Sequence, residues 1–336
     1  MKKFMFMFLL TPAFCLANDT EKNCELYDFF KKHDEINRNL TNDDEKKVLR
    51  NGPSSINNTE DLLQITELII KDKPPIKIGE LLNLKKLTLS PYQDLSQLPA
   101  SLKNLVNLES LKIENYYLRK FPDSLQKLVN LKELMIINAG DMGIVPPWIE
   151  KLKNLVKLKI SNTTLTLPVE IGMLSNLREL SIPGCSLNNL LPESIQQLKN
   201  LELLEFSWND LTKFPDVILN LPSLTKVLLD NNKLTELPED IQKLSNLQML
   251  TLHGNKFTRL PESISQLHKL TFLTLHKNEG LEVPSNWFQF EKFKVLTLPE
   301  AQSHDRRIPK DLITVSYDFN ALQDLMHAAL KPSDKK

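Results

Sequence analysis

The sequence predicts an α/β repeat solenoid, with short parallel strands stacked on one side of the chain and helical or 3₁₀ turns returning on the other. Three observations predict it. Leucine supplies 64 of the 336 residues, whereas glycine supplies only 8. Proline recurs at Pro75, Pro99, Pro122, Pro146, Pro168, Pro192, Pro215, Pro238, Pro261 and Pro284, at spacings of 22 to 24 residues. Apolar residues fall three, six, nine, twelve and fourteen positions after each proline, as in Pro238, Ile241, Leu244, Leu247, Leu250 and Leu252, and asparagine follows at seventeen after Pro192, Pro215, Pro238 and Pro261. A fixed period of this length marks a repeat array.

In chain order, Met1-Lys2-Lys3, the apolar run Phe4 to Leu10 and the small-residue stretch ending at Ala17 read as a signal peptide, residues 1–17, cleaved after Ala17. That run is too short to span a bilayer, and no later stretch reaches roughly 20 apolar residues. A lipidated Cys15 is disfavoured by the bulky Phe14 before it. The mature chain is therefore expected to be secreted or held at a cell surface, with a periplasmic or lipid-anchored location less favoured. Cys24 and Cys185 are too few for a disulfide framework, and no bridge between them is expected.

Residues 18–61 are charge-rich but carry Leu26, Phe29, Phe30 and Ile36, which suits a helical N-terminal cap leading to a first strand at 66–70. Residues 62–309 hold about ten to eleven repeat units. In the best of them Leu250-Thr251-Leu252 alternates with period two, as a strand does, while Ile241 to Leu247 keeps a spacing of three, as a 3₁₀ turn does. One unit cannot bury its own apolar edge; stacking units about 4.8 Å apart buries it in a shared leucine core. Asn209, Asn232, Asn255 and Asn278 are expected to point inward as a ladder that satisfies turn backbone groups. Residues 310–336 read as a C-terminal cap, with a strand at Leu312 to Tyr317 and a helix N-capped by Asn320. At the ladder position the early units carry Tyr92, Tyr116, Ala139, Thr163 and Cys185. The tyrosines look too large to face inward, so these turns are expected to reshape or to shift register to Asn115, Asn138 and Asn162.

The pattern LxxLxLxxNxLxxLPxxIxxLxxL, repeated in register over roughly residues 62–300, resembles the 23-residue class of the leucine-rich repeat family. The resemblance implies a curved horseshoe with the parallel sheet on its concave side and a role in binding other proteins. With the signal peptide, the chain looks like bacterial secreted or surface members, some of them associated with virulence.

Lys and Arg total 42, as do Asp and Glu. That balance lacks the basic footprint a nucleic-acid or anionic-membrane partner requires. No GxGxxG, GxxxxGK, HExxH, GxSxG or CxxC motif and no EF-hand loop occurs, so neither an enzyme nor a cofactor is expected. On the concave face one column runs Lys86, Ser110, Glu133, Lys157, Glu179, Leu203, Lys226, Met249, Phe272, and another Thr88, Lys112, Met135, Lys159, Ser181, Glu205, Leu228, Thr251, Thr274. The columns turn from mixed charge to apolar. Leu203, Trp208, Leu228, Met249 and Phe272, with His253 and His276, are the expected protein-binding patch, since exposed aromatic and Met anchors mark interfaces. Self-association through that face, as a homodimer or adhesive structural protein, is the alternative. Asp230, His253 and His276 share one column in three successive strands and form a secondary candidate for a zinc site.

Overall fold

A computed structural model of the protein describes residues 25–38, 48–51, 60–91, 96–187, 191–282, 293 and 295–299. The expected signal peptide, Cys15, Cys24 and the expected C-terminal strand and helix lie outside the described residues. The chain divides into two compact units, Met1–Leu177 and Arg178–Lys336.

The first unit opens with α1 (Glu25–Arg38), which buries Leu26 and Phe30. The Glu25 carboxylate accepts the Ile76 amide at 2.9 Å, so the helix leans on the first repeat. Strand β1 (Val48–Asn51) pairs antiparallel with β2 (Glu67–Ile70), closing an edge that a parallel stack would leave open. From β2 onward the strands are parallel: β3 (Lys86–Leu89), β4 (Ser110–Glu114), β5 (Glu133–Ile137) and, after the two-residue β6 (Gly143–Ile144), β7 (Lys157–Ser161). A second, two-stranded parallel sheet joins β6 to β8 (Leu165–Thr166).

The second unit stacks β9 (Glu179–Ser181), β10 (Leu203–Glu205), β11 (Lys226–Leu228), β12 (Met249–Thr251), β13 (Phe272–Thr274) and β14 (Val295–Thr297), all parallel. In both units the strand pairing reproduces the two residue columns expected from the 23-residue frame, with Lys86 opposite Ser110 in one unit and Met249 opposite Phe272 in the other.

The returning segments are 3₁₀ turns, and the repeat proline starts them. Its ring fixes φ, which lies between −56° and −80° at Pro99, Pro122, Pro146, Pro168, Pro192, Pro215 and Pro261. Its carbonyl accepts the amide three residues on, as from Leu102 to Pro99 at 3.0 Å and from Ile264 to Pro261 at 3.2 Å. The missing N–H costs nothing at that place. Leucine and isoleucine at the frame's apolar positions are buried, among them Leu198, Leu201 and Leu204. Each contributes about 1.5–3 kcal/mol by leaving water, which is where the solenoid's stability comes from.

A second asparagine row was not foreseen. Asn83, Asn107, Asn130, Asn154, Asn176 and Asn246, each eight residues after a repeat proline, donate their side-chain amide to a carbonyl of the preceding repeat at 2.8–3.0 Å. These bonds tie neighbouring turns together at the solvent edge.

The expected register shift in the early units does not occur. Tyr116 occupies the inward position and is 1% exposed, Ala139 and Thr163 are buried in the corresponding places, and Asn115, Asn138 and Asn162 stay outside. The inward site is therefore roomy enough for a phenol ring once no neighbouring ladder side chain competes for it. Among the described residues the Tyr116 hydroxyl has no hydrogen-bond partner, and burial pushes its pKa up. A buried, unpaired hydroxyl costs about 1–3 kcal/mol. Tyr116→Phe is accordingly expected to raise stability by about 1 kcal/mol in urea unfolding; a loss of that size would mean that the hydroxyl is paired.

Candidate functional site

The four ladder asparagines are buried in the second unit, and each closes one turn onto the next. Asn232 Nδ2 donates to the carbonyls of Phe206 (2.9 Å), Leu229 (3.0 Å) and Asp230 (3.3 Å), and its Oδ1 accepts the Leu211 amide at 3.1 Å. Asn255 and Asn278 repeat this set one and two strands on, with Oδ1 accepting from Leu234 and Phe257. Asn209 Oδ1 accepts from both Cys185 and Leu187, so the buried thiol-bearing residue 185 leaves its amide to the next asparagine in the row.

The residue before each ladder position turns the chain through a left-handed conformation. Asn115, Asn138, Asn162, Gly184, Trp208, Asn231, Gly254 and Lys277, each sixteen residues after a repeat proline, all have φ between 54° and 68°. Asn and Gly are the residues that adopt this region at least cost, and they fill six of the eight places. At Gly254 an added Cβ would meet Asn231 Oδ1 at 2.5 Å, so there the backbone also needs the space. The first unit's exposed asparagines form an amide chain, Asn162 donating to Asn138 (2.8 Å) and Asn138 to Asn115 (3.2 Å). Trp208 is the exception of greatest consequence. It holds φ 57° with a bulky side chain that is 61% exposed.

The apolar side chains of the two columns behave differently from expectation. Leu228, Met249 and Phe272 pack with Val295 into one cluster, with Leu203 half-buried against it. Leu228 and Met249 are 3% exposed and Phe272 is 5% exposed, so the open patch inferred from sequence does not exist in this state. Apolar side chains one strand spacing apart gain more by closing on each other than by facing water. Of the expected anchors, Trp208 alone stands open to solvent.

Beside this cluster runs the polar column. Asp230 Oδ1 accepts from Ser207 Oγ (2.8 Å) and Thr251 Oγ1 (2.6 Å), while its Oδ2 accepts from Asn231 Nδ2 (2.9 Å) and lies 3.6 Å from His253 Nε2. His253 Nδ1 contacts Thr274 Oγ1 at 2.9 Å, and His276 Nδ1 contacts Thr297 Oγ1 at 2.7 Å. The two imidazoles are stacked, centroids 4.4 Å apart and planes 10° from parallel. Stacked rings hold their nitrogens in parallel planes and do not converge on one ion, so Asp230, His253 and His276 do not form the zinc site that their shared column suggested. Among the described residues no group of three His, Cys, Asp or Glu side chains could hold a metal. The Asp230–His253–Thr274 line is no nucleophilic triad either, because the Thr274 side chain is fully buried. Burial lowers the pKa of His253 against the pull of Asp230, and burial together with the His253 charge pushes His276 down to about 4.

In the first unit the mixed-charge face pairs off internally: Lys86 with Glu67 and Lys112 with Glu114, both at 2.7 Å, and Ser110 with Glu133 at 3.1 Å. Such exposed pairs are screened by water and leave no single-sign field.

Two family models match the sequence, one for a leucine-rich repeat region over residues 227–317 and one for leucine-rich repeats over 175–234. No curated protein matches the chain. Among solved structures, the ectodomain of the Arabidopsis thaliana membrane receptor kinase GASSHO1/SCHENGEN3, in complex with CASPARIAN STRIP INTEGRITY FACTOR 2, is similar at 30% identity and a TM-score of 0.59. The match covers 69% of this chain but only 29% of that one. A leucine-rich repeat protein of Leptospira interrogans is similar at 29% identity and a TM-score of 0.50, over 72% of this chain and 74% of that one. A Listeria monocytogenes internalin shares the fold at 20% identity and a TM-score of 0.56, over 74% of this chain and 79% of its own. The repeat frame, the parallel strands with 3₁₀ returns in both units and the family matches agree, and the chain belongs to the leucine-rich repeat family.

Proposed function

We propose that this protein is a secreted or surface-held, non-enzymatic binding module that takes a protein partner, with Trp208 as the anchor. The observation that carries the reading is the conformation of Trp208. A bulky residue in the left-handed region costs about 1–2 kcal/mol, and six of the seven other places in this column are filled by Asn or Gly, the seventh by Lys277. A chain that accepts this cost for an aromatic ring 61% open to water has a use for the ring, and tryptophan leads the residues that dominate binding energy at interfaces.

The similar Arabidopsis ectodomain was solved with a bound factor, which supports a binding role for this fold. The signal-like residues 1–17 support export, and among the described residues no helix is long and apolar enough to cross a membrane. The similarity to the Leptospira protein, over 74% of that chain, supports a bacterial source. Self-association through Leu203, Leu228, Met249 and Phe272 loses its basis, because that row is largely buried.

The test is capture of proteins from an extracellular-matrix extract on immobilised chain, with Trp208→Ala as the comparison. At least one protein is expected to be retained by the parent and depleted tenfold or more, roughly the 1.4 kcal/mol or more that a central tryptophan supplies, on the variant. Identical retention would contradict the assignment.

A further inference from the structure

The first unit carries a polar groove in which Trp208 has no part. Its volume is about 600 Å³, within the range that ligand sites occupy, and it crosses five successive repeats, from that of Thr66 to that of Asn154. At a strand spacing of about 4.8 Å the run is roughly 19 Å long. Asn83, Asn107, Asn130 and Asn154 stand along it, and each spends one amide hydrogen on a carbonyl of the preceding repeat at 2.8–3.0 Å. Those bonds fix the amides in place. Among the described residues the Oδ1 and the second N–H of each have no partner, so a ligand that meets them orders few further side chains. Beside the row Glu109 accepts a hydrogen bond from Lys132 Nζ at 2.6 Å, which sets a charged acceptor next to a charged donor. Lys85, one repeat before Glu109, is exposed and makes no ion pair among the described residues.

Lining and spacing decide what fits. Among the described residues Leu63 is the one wholly apolar side chain on the groove and no aromatic ring lines it, so a protein partner finds no pocket for an anchor. An extended peptide also presents same-face residues about 6.7 Å apart, out of step with amides that recur at about 4.8 Å. A β-linked sugar chain advances by close to one repeat spacing per ring and offers hydroxyls that both donate and accept, so each ring can meet one asparagine. The unpaired charge is positive and selects an acidic chain. Two lysines against one glutamate make too weak a field for a densely sulfated one. We infer that the first unit binds a linear β-linked polysaccharide containing uronic acids, with its hydroxyls on the asparagine row and the Glu109–Lys132 pair and a carboxylate on Lys85. This site is separate from the protein-binding anchor proposed above.

The experiment titrates the chain with a hyaluronan hexasaccharide by isothermal calorimetry, beside cellohexaose as the neutral chain and a heparin hexasaccharide as the sulfated one. Saturable binding of the hyaluronan fragment is expected, at least about tenfold tighter than that of cellohexaose. Lys85→Gln is expected to weaken it about tenfold, since a hydrogen bond to a charged group is lost. That side chain is exposed and unpaired, so the variant tests the site without touching the fold. Asn107→Ala/Asn130→Ala is expected to weaken binding tenfold or more, whereas Asn246→Ala, from the same row in the second unit, and Trp208→Ala bind as the parent does. Three results would each overturn the site: no saturable binding of the hyaluronan fragment, equal binding of cellohexaose, or an affinity that Lys85→Gln leaves unchanged. Tighter binding of the heparin fragment that Lys85→Gln does not alter would mean general attraction of polyanions and would overturn it too.

Discussion

Asn232→Ala is expected to destabilise the protein by about 3 kcal/mol in urea or guanidinium unfolding. The substitution leaves the carbonyls of Phe206, Leu229 and Asp230 and the amide of Leu211 without their side-chain partner, in a turn where the asparagine is 7% exposed. Each orphaned buried group costs about 1–3 kcal/mol, and water entering the space recovers only part of the sum. Asn246→Ala is the control. It removes a 2.8 Å bond to the Pro222 carbonyl from the same residue type, but at an exposed site where water replaces it, so its cost stays below about 1 kcal/mol. Equal costs at the two positions would show that the inward ladder does not hold the turns.

Trp208→Asn is expected to change stability and binding in opposite directions. Asn is the residue used at the same left-handed place in Asn115, Asn138, Asn162 and Asn231, so the exchange relieves backbone strain and raises stability by about 0.5–1 kcal/mol. It also deletes the exposed ring, and with it partner affinity by tenfold or more. A substitution that merely damaged the fold would lower both, so the opposed signs separate an anchor from a structural side chain.

The repeat architecture was legible in the sequence because it rests on periodicity. The proline frame placed the strand columns, the 3₁₀ returns and the inward asparagines, and Asn209, Asn232, Asn255 and Asn278 make the backbone bonds that the frame requires. The outer asparagine row and the left-handed column were equally periodic, eight and sixteen residues after each proline, and could have been read from Asn107, Asn130 and Asn154 or from the recurrent Asn or Gly. The candidate site was less legible because residue type does not report burial. Phe272 and Met249 sit in surface columns by pattern but pack away from water, and Tyr116 enters a place where pattern calls for asparagine. Column membership likewise joined Asp230, His253 and His276 but could not say whether the rings converge or stack.

If Trp208 is kept in a strained conformation for the sake of a partner, stability and binding separate when it is replaced. The most direct test measures thermal melting and retention of matrix proteins on one preparation each of the parent chain and Trp208→Asn. The variant is expected to melt higher than the parent and to retain the partner at least about tenfold less well. A variant that melts lower, or one that retains the same proteins to the same extent, would contradict it.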